Sequence, residues 1–188
     1  MENFQSYLVK ILAVPEANAP SCKQFYTEKK IEKGDYLLRA GETCKDTFFV
    51  EKGLLRMFSI DKNGKEHVIQ FAPESWIIAD RTSQIFKEES SYYIDAVENS
   101  ELAVLPPDFF DNIFKNNPEV SGNNFKLMTN HIRALQKRIN QLLGATAEER
   151  YLDFLKTYPN VFQRVPQWMV ASYLGITPES LSRVRKNL

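Results

Sequence analysis

Near the end of the chain, Thr177, Glu179, Ser180, Arg183 and Lys186 fall within ten residues, on a stretch whose apolar members Leu181 and Val184 take the opposite helical face. These residue types suit recognition of double-stranded DNA. A guanidinium forks onto guanine O6 and N7, a carboxylate accepts from the cytosine amino group, and hydroxyl and ammonium groups reach phosphate oxygens. Gln167, at the start of the preceding helical pattern, adds an amide of the same kind. Catalytic chemistry, by contrast, has no residues to act with. His67 and His131 are the only histidines and fall in different expected elements, Cys22 and Cys44 are too few for a four-thiolate cluster, and no nucleophile stands in order with a histidine and a carboxylate. The sequence therefore predicts no metal, no cofactor and no enzyme. Its two cysteines are expected as reduced thiols in a cytoplasmic protein.

The recognition residues need a mount, and residues 165–188 have the grammar of a helix-turn-helix. Met169, Val170, Tyr173 and Leu174 give the first helix an apolar face, and Gly175 suits the left-handed residue that closes a helix. Thr177 is the expected N-cap of the second helix, with Pro178 at its first position. The plainer alternative is a two-helix corner inside a larger core. Upstream, Thr146-Ala147-Glu148-Glu149 reads as a capping box, followed by Tyr151, Leu152, Leu155 and Tyr158 as an inner face.

Before that lies the most regular pattern in the chain. Phe125, Met128, Ile132, Leu135, Ile139 and Leu142 recur at intervals of 3, 4, 3, 4 and 3, a heptad seam flanked by polar residues. A strict 3.5 period predicts a parallel two-stranded dimer, whereas a helix lying on its own domain drifts toward 3.6. The seam residues are thus the expected dimer interface.

Residues 15–115 have another texture: short apolar runs at 36–38, 47–50, 54–60, 67–71, 92–97 and 101–105, separated by turn formers such as Lys33-Gly34-Asp35 and Asn63-Gly64. Pro106-Pro107 ends this sheet region, and Asp108 is placed to cap a short helix holding Phe109, Phe110, Ile113 and Phe114. A short helix is expected over residues 2–13. The expected fold class is α+β. It comprises an antiparallel β-roll or jelly roll of cupin-like appearance (residues 1–115), a dimerisation helix (116–144) and a helix-turn-helix domain (145–188).

The formal net charge of zero conceals a split. Residues 1–125 hold 14 Lys and Arg against 20 Asp and Glu, a net of −6, whereas residues 126–188 hold 10 against 4, a net of +6. The positive charge is local to the part that phosphate would meet. An apolar fraction of 43% suffices for a core, no run of eighteen apolar residues exists, and residues 1–10 lack the features of a signal peptide, so neither membrane insertion nor export is expected.

This order of elements, with Leu174-Gly175-Ile176-Thr177-Pro178-Glu179-Ser180-Leu181-Ser182-Arg183, resembles the turn and recognition helix of the Crp/Fnr superfamily of bacterial transcription regulators. There a Ser or Thr, a Glu and an Arg hold the positions of Thr177, Glu179 and Arg183. Lys33-Gly34-Asp35, Gly41-Glu42, Phe48 to Gly53 and Asp95-Ala96-Val97 are similar to the glycine-marked strands of a cyclic-nucleotide-binding β-roll. The resemblance implies a homodimer that binds a palindromic operator, a small-molecule effector at the β domain, and RNA polymerase as a further candidate partner. It also implies a wing beyond the recognition helix, which here runs close to Leu188, the last residue of the sequence.

The effector cassette departs from the pattern. Cyclic-nucleotide-binding members supply a Gly-Glu pair for the ribose and an Arg followed by Ser or Thr for the cyclic phosphate. Here Ile77-Ile78-Ala79-Asp80-Arg81-Thr82 contains no Gly-Glu, Arg81 comes before the expected place, and that place falls among Glu88, Glu89 and Ser90. Two carboxylates repel a cyclic phosphate, so cyclic AMP is not the expected ligand. Trp76, Tyr92 and Tyr93 read as core aromatics, the alternative being the lining of an apolar pocket. The alternative to a DNA-binding regulator is a cupin-like small-molecule-binding module or enzyme whose C-terminal helices serve only dimerisation.

Overall fold

Strands form where β-branched and aromatic runs lie between turns, and they assemble into two four-stranded antiparallel sheets. The computed structural model describes residues 1–187, apart from the side chain of Glu119. In chain order the strands are β1 (Thr27–Ile31), β2 (Tyr36–Leu38), β3 (Thr47–Lys52), β4 (Leu55–Ile60), β5 (Glu66–Ala72), β6 (Ile77–Ile78), β7 (Tyr93–Ala96) and β8 (Ser100–Leu105). One sheet has the order β1-β8-β3-β6 and the other β2-β7-β4-β5. Their inner faces meet through Leu38, Phe48, Val50, Leu55, Met57, Ile94 and Leu102, all buried. This is the expected β-roll. Two of its strands carry no sequence signal: β1 is a charged edge, Thr-Glu-Lys-Lys-Ile, with only Ile31 buried, and β6 has two residues. The short helix α2 (Arg81–Phe86) was likewise not expected.

The Asn63-Gly64 turn forms with Gly64 at φ +80°, the Asp61 carbonyl accepting from its N–H at 2.9 Å. The Asp61 carboxylate gathers the N–H groups of Asn63 and Lys65, so a side chain organises the hairpin as much as the glycine does. Gly53 is needed for space. A Cβ there would stand 2.2 Å from Ser100 Oγ and 2.8 Å from the Asn99 carbonyl.

Helix α1 (Glu2–Lys10) packs Phe4 and Leu8 beneath the roll, with Phe4 against Tyr26, Phe49 and Phe109. The Glu51 carboxylate accepts from the N–H groups of Asn3 and Phe4 at 2.9 Å, supplying from β3 the cap that the helix lacks locally. After the prolines, α3 (Phe109–Asn116) buries Phe109 and Ile113. Asp108 sits at its N-cap position without capping it: the carboxylate accepts from the Asn112 side chain instead. The backbone of Asp108, at φ −89° and ψ 1°, is too far from the extended conformation for an N-cap side chain to reach back.

Four helices follow: α4 (Ser121–Gly144), α5 (Ala147–Thr157), α6 (Gln167–Leu174) and α7 (Pro178–Lys186). The capping box at Thr146 forms, with Thr146 and Glu149 bonded reciprocally. The inner face of α5 differs from expectation. Tyr151 and Phe154 are buried, while Leu152 is 39% exposed. Buried partners three and four apart put position 154 inward, and position 152 lies about 100° round the helix from 151. No helix among the described residues is long and apolar enough to cross a membrane.

Candidate nucleic-acid interface

The mount of the expected recognition residues is built from two reinforced helix ends. Gly175 closes α6 at φ +66° and ψ +36°, and the Ile176 N–H reaches the Ala171 carbonyl at 3.0 Å, which satisfies the carbonyls at the helix end. Thr177 Oγ1 accepts from the Ser180 N–H at 3.2 Å and starts α7, with Pro178 at the first turn. Leu181 is fully buried and Val184 packs beside the same core, as do Val170, Ala171 and Leu174 of α6.

With that face fixed inward, Glu179, Ser182, Arg183, Arg185 and Lys186 are exposed on the other side of α7, and Ser180 is half-buried. Gln167 is exposed at the first position of α6, where no side chain caps the helix. The structure therefore brings Glu179, Arg183 and Lys186 onto one open face. Thr177 is exposed, but its hydroxyl is committed to the cap. A hydrogen bond with Thr177 and the nearby Arg183 charge hold the Glu179 carboxyl below its ordinary range, so it presents an acceptor at neutral pH. Arg185 is less free than its exposure suggests, because its guanidinium carbon lies 4.8 Å above the Phe162 ring.

Several residues the sequence did not single out fix how this face is held. Ser172 of α6 accepts from the Val68 N–H and donates to the Glu66 carbonyl, both at 2.9 Å, stitching α6 to β5. Arg138 of α4 donates to the Tyr173 carbonyl at 2.8 Å and covers the Tyr173 ring at 3.5 Å. Arg164 forks onto Glu74 at 2.9 Å twice and onto Glu98 at 2.5 Å. Beneath these contacts one core is shared: Val68 and Phe71 of the roll pack with Phe154, Tyr158 and Val170.

The long helix carries the seam expected as the dimer contact. None of the described side chains of α4 is buried, and along the seam Phe125 is 73% exposed, Ile132 54%, Ile139 58%, and Met128, Leu135 and Leu142 about 40%. Six large apolar side chains in one unpartnered row are unusual on a soluble surface.

The cassette region is closed on itself. Asp80 caps α2, accepting from the Ser83 N–H at 3.2 Å, and its other oxygen accepts from the Ser90 hydroxyl at 2.7 Å. Ser83 Oγ accepts from the Cys44 N–H and donates to the Glu88 carbonyl. Asp80, Ser83 and Ser90 have thus paired with each other and with nearby backbone, and Arg81 projects elsewhere, 5.8 Å from the Phe110 ring. Tyr93 stacks on Phe58 and Trp76 packs on Tyr158, so these aromatics do not line one pocket. His67 pairs with Asp61 at 2.9 Å on the outer hairpin. Cys22 and Cys44 are buried free thiols, pushed up by that burial.

By architecture, this is a β-roll protein with a long exposed helix and a C-terminal helix-turn-helix. Residues 28–117 match the family model described as cyclic nucleotide-binding domain. The chain is 24% identical over 168 residues to Electron transport regulator A of Shewanella oneidensis, spanning 84% of this chain and 66% of that protein, just under two thirds of its length. It is 27% identical to Transcriptional activator protein anr of Pseudomonas aeruginosa, spanning 83% of this chain and 68% of that one. The fold is similar to that of FixK2 from Bradyrhizobium japonicum, with a TM-score of 0.73 and 17% identity over 87% of this chain and 84% of that chain. The chain is thus similar in fold and over most of its length to regulators of this kind, with a cyclic nucleotide-binding domain matched over residues 28–117.

Proposed function

We propose that the chain is a homodimeric, sequence-specific DNA-binding transcription regulator and not an enzyme, acting in the cytoplasm. The observation that carries this reading is the open face of α7: Arg183, Glu179 and Lys186 exposed opposite a fully buried Leu181. Arg183 and Glu179 read base edges, while Gln167, Thr177, Ser180 and Lys186 are assigned to groove or backbone contacts. Residues 1–115 act as the sensing β-roll, 116–144 as the dimer helix through Phe125, Met128, Ile132, Leu135, Ile139 and Leu142, and 145–188 as the DNA-binding part. Two-fold pairing along α4 would set two α7 helices roughly 34 Å apart, one turn of a palindromic operator. The closed cassette argues against cyclic AMP as effector. RNA polymerase is a further partner on this reading.

Selection of bound sequences from random DNA supplies the test. The parent is expected to enrich a palindrome and to bind it with steep salt dependence. Arg183→Ala is expected to weaken that binding by about 1–3 kcal/mol, roughly 10- to 100-fold. Equal binding by the variant, or enrichment of no sequence, would refute the assignment. Calorimetric detection of tight cyclic AMP binding would refute the exclusion of that effector.

A further inference from the structure

We propose that the small cleft where α4, α5 and α6 meet is a binding site for one inorganic monoanion, chloride, held by the guanidinium groups of Arg150 and Arg138. The cleft has a volume of about 20 Å³ and is lined by Arg138 and Gln141 of α4, Arg150 and Asp153 of α5 and Tyr173 of α6, among others. Arg150 is the group that calls for an occupant. Its Nε is buried with no hydrogen-bond partner, and its guanidinium takes part in no ion pair among the described residues. A buried charged donor left without an acceptor is unfavourable by more than a neutral one, and such an atom needs an explanation. The guanidinium also abuts the turn between α6 and α7, since a Cβ on Gly175 would stand 3.5 Å from Arg150 Nη1.

The neighbours leave a free anion as the acceptor. Asp153 is the one carboxylate among the lining residues, and it is already engaged by Lys137 and Gln141 of α4. Burial would raise the Asp153 carboxyl, but the hydrogen bonds from these two outweigh it and hold it below the ordinary range, so it stays ionised and committed to α4. Arg138 spends Nη2 on the Val68 and Tyr173 carbonyls, at 3.3 and 2.8 Å, which leaves its Nε and Nη1 without a hydrogen bond among the described residues. With Asp153 answered by Lys137, the two arginines bring two positive charges that no other lining residue compensates. Size then decides the species. A cavity needs about 10–15 Å³ to hold one water, so this one admits a single particle of about that size and excludes phosphate, sulfate and carboxylic acids. Water would satisfy the Nε–H without answering the charge, whereas chloride does both. Neither the outward face of α7 nor the Asp80, Ser83 and Ser90 cassette contributes a residue to the cleft, and nothing in the inference rests on the regulatory reading.

Thermal unfolding of the full chain in sodium chloride against sodium gluconate, at equal ionic strength and protein concentration, tests the proposal without DNA. Gluconate is too large for the cleft, and equal ionic strength holds general screening constant. Chloride at ten times its dissociation constant is expected to raise the melting temperature by about 3–6 °C, in a shift that saturates below molar concentration. Arg150→Met keeps the aliphatic stem and is expected to lose the shift, whereas Arg133→Met, at an exposed position of α4 outside the cleft, is expected to keep it. Crystals grown in sodium bromide give a reading that needs no variant: an anomalous peak is expected within hydrogen-bond reach of Arg150 Nε. The proposal is overturned if chloride and gluconate give the same melting temperature, if folded Arg150→Met keeps the chloride shift, or if the bromide crystals show only a water beside Arg150.

Discussion

Replacing Ile132 and Ile139 together by serine tests the two-fold contact most directly. Ile132 is 54% exposed and Ile139 58% in the single chain. Fully burying an isoleucine side chain contributes about 1.5–3 kcal/mol, so covering the exposed half is worth about 1 kcal/mol. A symmetric dimer holds four such side chains, and the double variant forfeits about 4 kcal/mol, roughly a thousandfold in dissociation constant. Sedimentation equilibrium over a wide concentration range reads this directly, with far-ultraviolet circular dichroism to show that both chains remain helical. The serines face solvent in the monomer, so folding itself should change little. Ile85→Ser provides the control, since Ile85 is 62% exposed on α2, off the seam, and its replacement should leave dimerisation unchanged. If the double variant dimerises as tightly as the parent, or the parent is a monomer throughout, the heptad row is not a two-fold contact.

Three further outcomes follow from particular contacts. Asp95→Asn leaves the Arg56 guanidinium, now bonded to Asp95 at 2.8 and 2.9 Å with both side chains under a tenth exposed, short of its main counter-charge. Breaking a buried pair by removing one partner costs about 3–5 kcal/mol, and the melting temperature should fall by roughly 10 °C or more in calorimetry. Gly175→Ala forces a Cβ onto a residue at φ +66° and to 3.1 Å from Leu142 Cδ2, and should lower the unfolding free energy in urea by about 1–2 kcal/mol. Burial would raise the Glu74 carboxyl, but hydrogen bonds from Arg164 and the Gly53 N–H outweigh it and hold it below the ordinary carboxylate range. A depressed folded value gives stability that is present above the ordinary value and lost as pH falls through the folded one. Glu74→Gln should therefore flatten the acid side of stability against pH in denaturant titrations, and an unchanged acid limb would show that Glu74 is not linked.

What could be read from the sequence was whatever one element states by itself. The α4 seam needs no partner to be recognised, because Phe125 to Leu142 repeat along a single helix and stay exposed when it folds. Gly175, Thr177 and Pro178 announce a turn through their own backbone preferences, and the Thr146 box closes within four residues. By the same logic β1 was missed: an edge strand of Thr-Glu-Lys-Lys-Ile faces solvent on most of its length, so nothing selects an alternating pattern. Leu152 was misplaced because a leucine beside Tyr151 looks as apolar as Phe154, and only the packing of Phe154 against Phe71 decides which turns inward.

The deeper limit lies in contacts between distant segments. In β5 the buried residues are Val68, Phe71 and Ala72, which breaks the alternation expected of a strand. A register shift between Met57 and Phe58 in the neighbouring β4 accommodates the break. Phe71 is thereby turned toward Phe154, Tyr158 and Tyr173 at 5.7 to 6.2 Å, and the roll shares a core with helices some eighty to a hundred residues later. No local pattern encodes that, nor the fork of Arg164 onto Glu74 and Glu98, nor the placing of Arg81 beside Phe110 and His131. These contacts are the ones through which a change at the roll can reach α6 and α7. The proposed recognition face is thus written locally, in the residues of one helix, whereas the contacts that would control it are distributed across the fold and became visible only with the chain assembled.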